Sequence, residues 1–236
     1  MKVTSFEEFK VETNRAIAAR DTDAVVEYQQ SIFGYSTSDR RWEIREKGLL
    51  HCEWGPAVIY SDGSQEWWYM GKRHRTDGPA ILKPDGTQRW YYMGMWHRTD
   101  GPAIIYPDGT QEWYYMDKRY RSDGPAIIYP DGYQWWYCNS ALHREDGPAI
   151  IRPDGSEKWY YLGKLHRKDG PAVIRSDGTQ EWYYLDQLHR TDGPAVIRSN
   201  GSEEWWYTGQ RHRADGPAII GPDGTQEWWC MGKRIK

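Results

Sequence analysis

The sequence predicts a mainly β protein: an elongated repeat array of eight 23-residue β-hairpins in an antiparallel meander, preceded by a small N-terminal α-helical cap. Three observations predict it. From His51 the chain repeats every 23 residues without a slip, with units beginning at His51, His74, His97, Tyr120, His143, His166, His189 and His212. Each unit holds two β-branched or aromatic runs separated by a Pro-Asp-Gly type turn. Composition also changes near residue 42: all 3 Phe precede it, whereas all 15 Trp, all 7 His and all 13 Pro fall at or after it.

Residues 1–41 read as helical. Ser5 with Glu8 fits a capping box, and Phe6, Phe9, Ala16 and Ile17 fall on one helical face. Asp21-Thr22-Asp23 supplies a break and a fresh N-cap for a second short helix through Val25, Tyr28 and Ile32. Gly34-Tyr35-Ser36-Thr37-Ser38 then links onward. So small a helical pair cannot bury enough surface alone, and capping its neighbour is its expected role.

Residues 42–236 form the repeat domain. A typical unit, from His97, reads His-Arg-Thr-Asp-Gly-Pro-Ala-Ile-Ile-Tyr-Pro-Asp-Gly-Thr-Gln-Glu-Trp-Tyr-Tyr-Met. Pro107-Asp108-Gly109 fits a three-residue hairpin loop with Gly in the left-handed position. That loop sets the register: Ile105 opposite Gln111, Ile104 opposite Glu112, Ala103 opposite Trp113. Alternation then puts Ala103, Ile105, Trp113 and Tyr115 on one face, expected to be the inner one, with the small Ala beside the indole. The other face carries Ile104, Tyr106, Glu112 and Tyr114 and is the more variable. Its column before the turn reads Tyr60, Lys83, Tyr106, Tyr129, Arg152, Arg175, Arg198 and Gly221. Sixteen strands at about 4.8 Å spacing give a sheet on the order of 75 Å long, quasi-one-dimensional and in need of end caps.

The run Tyr69-Met-Gly-Lys-Arg-His74, followed by a Pro-Asp-Gly turn and an aromatic strand, resembles the MORN repeat. It is most similar to the variant in bacterial MORN-like proteins, including those named as YwqK-type antitoxins. The shared features are the 23-residue period, the aromatic-x-x-Gly-Lys-x-His run and the turn Gly, and they cover residues 42–236. The chain departs in its fixed Asp-Gly-Pro-Ala and its Trp column. The resemblance implies a β-meander used as an interaction surface, with lipid, protein or self-association as modes, and no catalytic residues.

Composition narrows the function classes. The balance of 31 Lys+Arg against 34 Asp+Glu, a net charge of −3, argues against nucleic acid held by a broad basic surface. Mean hydropathy is −0.94 and no apolar stretch reaches membrane-spanning length. The N-terminus lacks the apolar run of a signal peptide. Cys52, Cys138 and Cys230, odd in number and far apart, read as reduced thiols in a cytoplasmic protein.

The chemistry-bearing residues read as structural. His-Arg-Thr-Asp resembles a kinase catalytic-loop triplet, but it recurs along the array and no phosphate loop accompanies it. Its expected role is bonding between neighbouring hairpins, with Asp closing the turn before Gly-Pro. Successive His lie roughly 10 Å apart, too far to share a metal, and each Asp-Gly turn offers calcium one carboxylate. No catalytic residue, metal or cofactor is expected. The candidate binding surface is the variable face: Tyr91, Tyr106, Tyr114, Tyr129, Tyr137, Arg152, Tyr160, Arg175, Tyr183 and Arg198. Arg175 and Arg198 have Glu181 and Glu204 nearby on the same face for cross-strand pairing, whereas Arg152 lacks such a partner, since Lys158 stands there. The expected function is a non-enzymatic scaffold that binds, and inhibits or neutralises, another protein. Capture of a nucleotide or glycan by the aromatic and Arg ladders is the alternative, and self-association through the C-terminal hairpin is a further expectation.

Overall fold

The computed structural model describes residues 1–21, 23–29, 31–36 and 41–236. Thr22 of the expected N-cap and Thr37-Ser38 of the expected link lie outside the described residues. The chain forms two compact units, Met1–Lys118 and Arg119–Lys236.

The first unit opens with helix α1 (Phe6–Ala19). Ser5 caps it, its Oγ accepting the Glu8 N–H at 3.2 Å, while Glu8 Oε2 accepts the Thr4 N–H at 3.1 Å. Arg20 ends it in the left-handed conformation at φ 54, and its N–H returns to the Ala16 and Ile17 carbonyls. Phe9, Thr13 and Ala16 form the buried stripe, while Phe6 is exposed.

The second helix expected through Val25, Tyr28 and Ile32 is instead a β-hairpin. Strands β1 (Val26–Tyr28) and β2 (Ser31–Ser36) pair antiparallel, and β2 pairs along its whole length with β3 (Arg41–Glu46). The segment is too short for a self-sustaining helix, and its β-branched and aromatic residues gain more by pairing. Val26 sits opposite the fully buried Phe33, and both join Phe9, Ala16, Trp42 and Ile44 in the core. The helix therefore covers the first strands of the sheet, and the change of composition near residue 42 is bridged by sheet pairing. Strand β4 (Leu49–Leu50) closes a hairpin with β3.

Beyond β3 each unit follows one plan. In the first compact unit Val58–Tyr60, Gln65–Glu66, Ile81–Leu82, Gln88–Arg89, Ile104–Ile105 and Gln111–Glu112 pair in sequence as an antiparallel meander. In the second the meander runs from Ile127–Ile128 to Gln226–Glu227. The expected register holds, with Ile104 opposite Glu112 and Ile105 opposite Gln111. At the loop, Asp108 Oδ1 accepts the Thr110 N–H at 2.8 Å, and Gly109 takes φ 90, a region open to glycine.

The Thr-Gln-Glu-Trp-Tyr-Tyr run is not one strand. It divides at the Trp, and each unit holds two hairpins rather than one. In the fifth repeat Ile150–Ile151 pairs Glu157–Lys158, after which Tyr160–Tyr161 pairs Lys164–Leu165 through a two-residue turn. At the division the Trp159 N–H donates to the Ala172 carbonyl of the next repeat, and the Trp159 carbonyl accepts from the His166 N–H. Both turn residues have positive φ, as at Leu162 (47) and Gly163 (84), the signature of a type I′ hairpin. Each small turn also leans on the repeat before it, since the Gly163 N–H donates to the Leu142 carbonyl at 2.8 Å. Where Asp or Ser replaces that Gly, its side chain adds a second tie: Asp186 Oδ1 accepts the Leu165 N–H at 2.8 Å.

Candidate functional site

Three columns of side chains decide what the surface presents. The first is the Trp column. Its indoles are half-buried rather than central to a core, and Trp67, Trp90, Trp136, Trp159, Trp182 and Trp205 are each covered by the Arg that follows the next His. Arg98 Cζ lies 4.0 Å from the Trp90 ring centroid, Arg167 4.0 Å from Trp159 and Arg190 4.1 Å from Trp182. The same Arg98 donates through Nε to Asp100 Oδ1 at 2.8 Å and through Nη1 to the Pro102 carbonyl at 3.3 Å. Arg98 holds the Asp100 carboxyl below its usual range, and Arg144 and Arg190 do the same to Asp146 and Asp192. The invariant Gly follows from this packing: a Cβ at Gly101 or Gly147 would meet the Arg98 or Arg144 Cζ at 2.9 or 2.8 Å. Open clefts of about 480, 650 and 770 Å³ lie between successive loops, but the Arg groups lining them are already engaged.

Next comes the column read as the variable, exposed face. The structure reverses that assignment at three positions: Ile104 and Tyr114 are buried, whereas Tyr115, expected inside, is exposed. Tyr91 and Tyr114, both expected at the binding surface, are buried against Ile81 and Ile104, with Trp96 packed on them. The physical reason is the second hairpin, whose returning strand stands beside this column: Tyr91 pairs with Trp96 and Tyr160 with Leu165. The invariant Ala103 is fully buried, in a cluster on which Trp90 of the preceding repeat packs, and its carbonyl accepts the Trp90 N–H at 2.7 Å. Of the remaining expected residues, Tyr106, Tyr129, Tyr137, Arg152, Tyr160 and Tyr183 are half-buried, and Arg175 and Arg198 are exposed.

The arginine ladder behaves as the cross-strand reading expects. Arg175 Nη2 donates to Glu181 Oε1 at 2.6 Å, and Arg198 Nη2 to Glu204 Oε1 at 2.6 Å. Burial alone would raise the Glu204 carboxyl, but hydrogen bonds and charge from Arg198 and Arg211 hold it below its ordinary value. Burial, reinforced by Glu181, pushes the Tyr183 phenol up to about 12. Cys52 is buried and its thiol is pushed up to about 11, so it does not have the environment of a nucleophile.

The third column was not singled out from sequence. In the first compact unit His51, Tyr69, His74, Tyr92, His97 and Tyr115 stack in alternation, with centroids 4.8 to 5.9 Å apart. In the second, His143, Tyr161, His166, Tyr184, His189, Tyr207 and His212 do so at 4.9 to 6.2 Å. Several of these His are fixed by the next small turn: His143 Nδ1 accepts the Leu162 N–H at 3.3 Å and His189 Nδ1 the Thr208 N–H at 3.2 Å. The Tyr members are among the most exposed aromatics, Tyr115 at 54% and Tyr184 at 56%. Exposed turn residues Met70, Leu162 and Leu185 flank them, making an apolar strip within each compact unit. The signal for this strip was present as a nearly invariant Tyr one residue after the variable aromatic.

Among the described residues, no group of three or more His, Cys, Asp and Glu could hold a metal ion, and no helix is long and apolar enough to cross a membrane. No protein-family model and no curated protein sequence matches the chain.

Proposed function

We propose that the protein is a non-enzymatic repeat scaffold that binds another protein through the exposed Tyr strip. The observation that carries this reading is the recurrence of exposed Tyr at Tyr161, Tyr184 and Tyr207, the first two beside the exposed turn residues Leu162 and Leu185. Tyr is a residue of choice for interface anchors: large, amphipathic and with little rotamer entropy to lose. Here the neighbouring His rings already hold each Tyr, so part of that entropy is lost before a partner arrives. The His-Arg-x-Asp runs support the same reading, because Arg98, Arg144 and Arg190 are engaged by the Trp of the preceding repeat and by the Asp of their own. The likeness to MORN-type repeats favours it as well, and with it an inhibitory or antitoxin-like role in the cytoplasm.

The experiment is a tagged pull-down from the host lysate, followed by affinity measurement on Tyr161→Ala combined with Tyr184→Ala. The double variant is expected to keep its circular dichroism spectrum and to lose at least about 2 kcal/mol of binding, some thirtyfold. A folded double variant that binds as tightly as the parent would sink the proposal.

A further inference from the structure

The Glu column of the meander is an internal seat for a carboxylate. In the sixth repeat Arg175 donates to Glu181 Oε1 through Nη2 at 2.6 Å and Nε at 3.0 Å, while the Tyr183 hydroxyl donates to Oε2 at 3.1 Å. The seventh repeat holds Glu204 the same way, with Arg198 at 2.6 Å and the Trp206 Nε1–H at 3.1 Å. An arginine before the turn and an aromatic donor two residues past the acid thus grip its two oxygens.

The fifth repeat keeps the donors and lacks the acid. Arg152, Lys158 and Tyr160 occupy the three positions in the same register. Ile150 faces Lys158 as Val173 faces Glu181, and the Arg152 N–H reaches the Ser156 carbonyl at 3.0 Å as Arg175 reaches Thr179 at 2.9 Å. Neither Arg152 nor Lys158 has an ion-pair partner among the described residues, and no acceptor stands at position 158 for the Tyr160 hydroxyl. Along the sheet, Lys158 is followed through Val173 by Glu181, already engaged by Arg175 and Tyr183. Its predecessor in that row, through Ile150, is Trp135.

We propose that Arg152, Lys158 and Tyr160 form a binding seat for an external oxyanion, a carboxylate or phosphoryl group that takes the place held by the Glu carboxylate in the next two repeats. Supporting this, burial and the charges of Arg152 and Arg175 push the Lys158 ammonium below its ordinary value, with Glu181 opposing. A glutamate at this position would have Arg152 as a partner of opposite charge, whereas the lysine adds a like charge beside it. Arg89 stands at the same column in the first compact unit, but there Glu66 and Glu112 flank it across Ile81 and Ile104.

The seat is a property of the second compact unit and does not depend on the polypeptide partner proposed above. Its test therefore uses the whole chain alone, titrated with inorganic phosphate and with a triglutamate peptide by calorimetry. Saturable binding of phosphate identifies a phosphoryl ligand, and binding of the peptide an acidic side chain; either supports the seat. Lys158→Glu fills the seat from within: it is expected to melt about 2–4 °C higher and to lose at least about tenfold in affinity. Arg152→Gln is expected to lose a similar factor. The proposal is overturned if neither probe binds, if Lys158→Glu binds as the parent does, or if Lys158→Glu melts no higher than the parent.

Discussion

Arg144 shows how one residue joins two repeats. It stacks 4.3 Å above Trp136, donates to Asp146 at 2.8 Å and reaches the Pro148 carbonyl at 3.4 Å. Gly147→Ala would place a methyl 2.8 Å from its Cζ, so the guanidinium must leave the indole. We expect a loss of about 1–2 kcal/mol in urea unfolding, and no loss when Arg144 is first shortened to Ala. Ala103→Leu, at a fully buried site against Trp90, is expected to cost about 1–3 kcal/mol. The Asp partners give a pH dependence whose sign is determined. Their folded pKa values lie below the ordinary carboxyl value, so their contribution is complete above about pH 4 and is lost as pH falls through the folded value. Melting temperature should therefore drop in acid, and Asp146→Asn should remove one share of that drop.

At the scale of the element, the second hairpin separates what the sequence made legible from what it concealed. The Asp-Gly turn and the register of Ile104 on Glu112 were readable because side-chain alternation and one αL glycine determine both. The small hairpin was hidden because its turn carries few of the residues that announce a type I′ turn. Met, Leu and Thr occupy a position with φ near +45 to +50, as at Met93 (50), Leu162 (47) and Thr208 (47). That hairpin reverses the expected burial of Tyr114 and Tyr115, since alternation says which residues share a face but not which face a later strand will flank. The strand pair Val26–Tyr28 and Ser31–Ser36 was lost for a related reason: apolar residues three and four apart in a short run fit either period. The same strain makes a prediction. Thr208 is β-branched at φ 47, so Thr208→Asn should raise stability by about 0.5–1 kcal/mol, measured as a higher urea midpoint with unchanged m-value.

For the whole molecule, the repeat is both the unit of structure and the unit of change. Removing residues 166–188 brings Val196 to the place of Val173, opposite Lys158, and restores each class of contact between repeats. The shortened protein is expected to fold with a native-like spectrum and a lower denaturation midpoint, because stability in such arrays is close to a sum over repeats and their interfaces. Removing 12 residues instead would put a turn where a strand must pair, and should abolish cooperative unfolding. In the meander each repeat grips the next through two-residue strands and a few carbonyls, such as that of Leu142 accepting from Gly163. Pulled from its two ends, such a chain yields one repeat at a time, and each rupture frees 23 residues, roughly 75–80 Å of contour. A force-extension trace should then show evenly spaced peaks of similar height, so that the array pays out length under load while its remaining repeats stay folded.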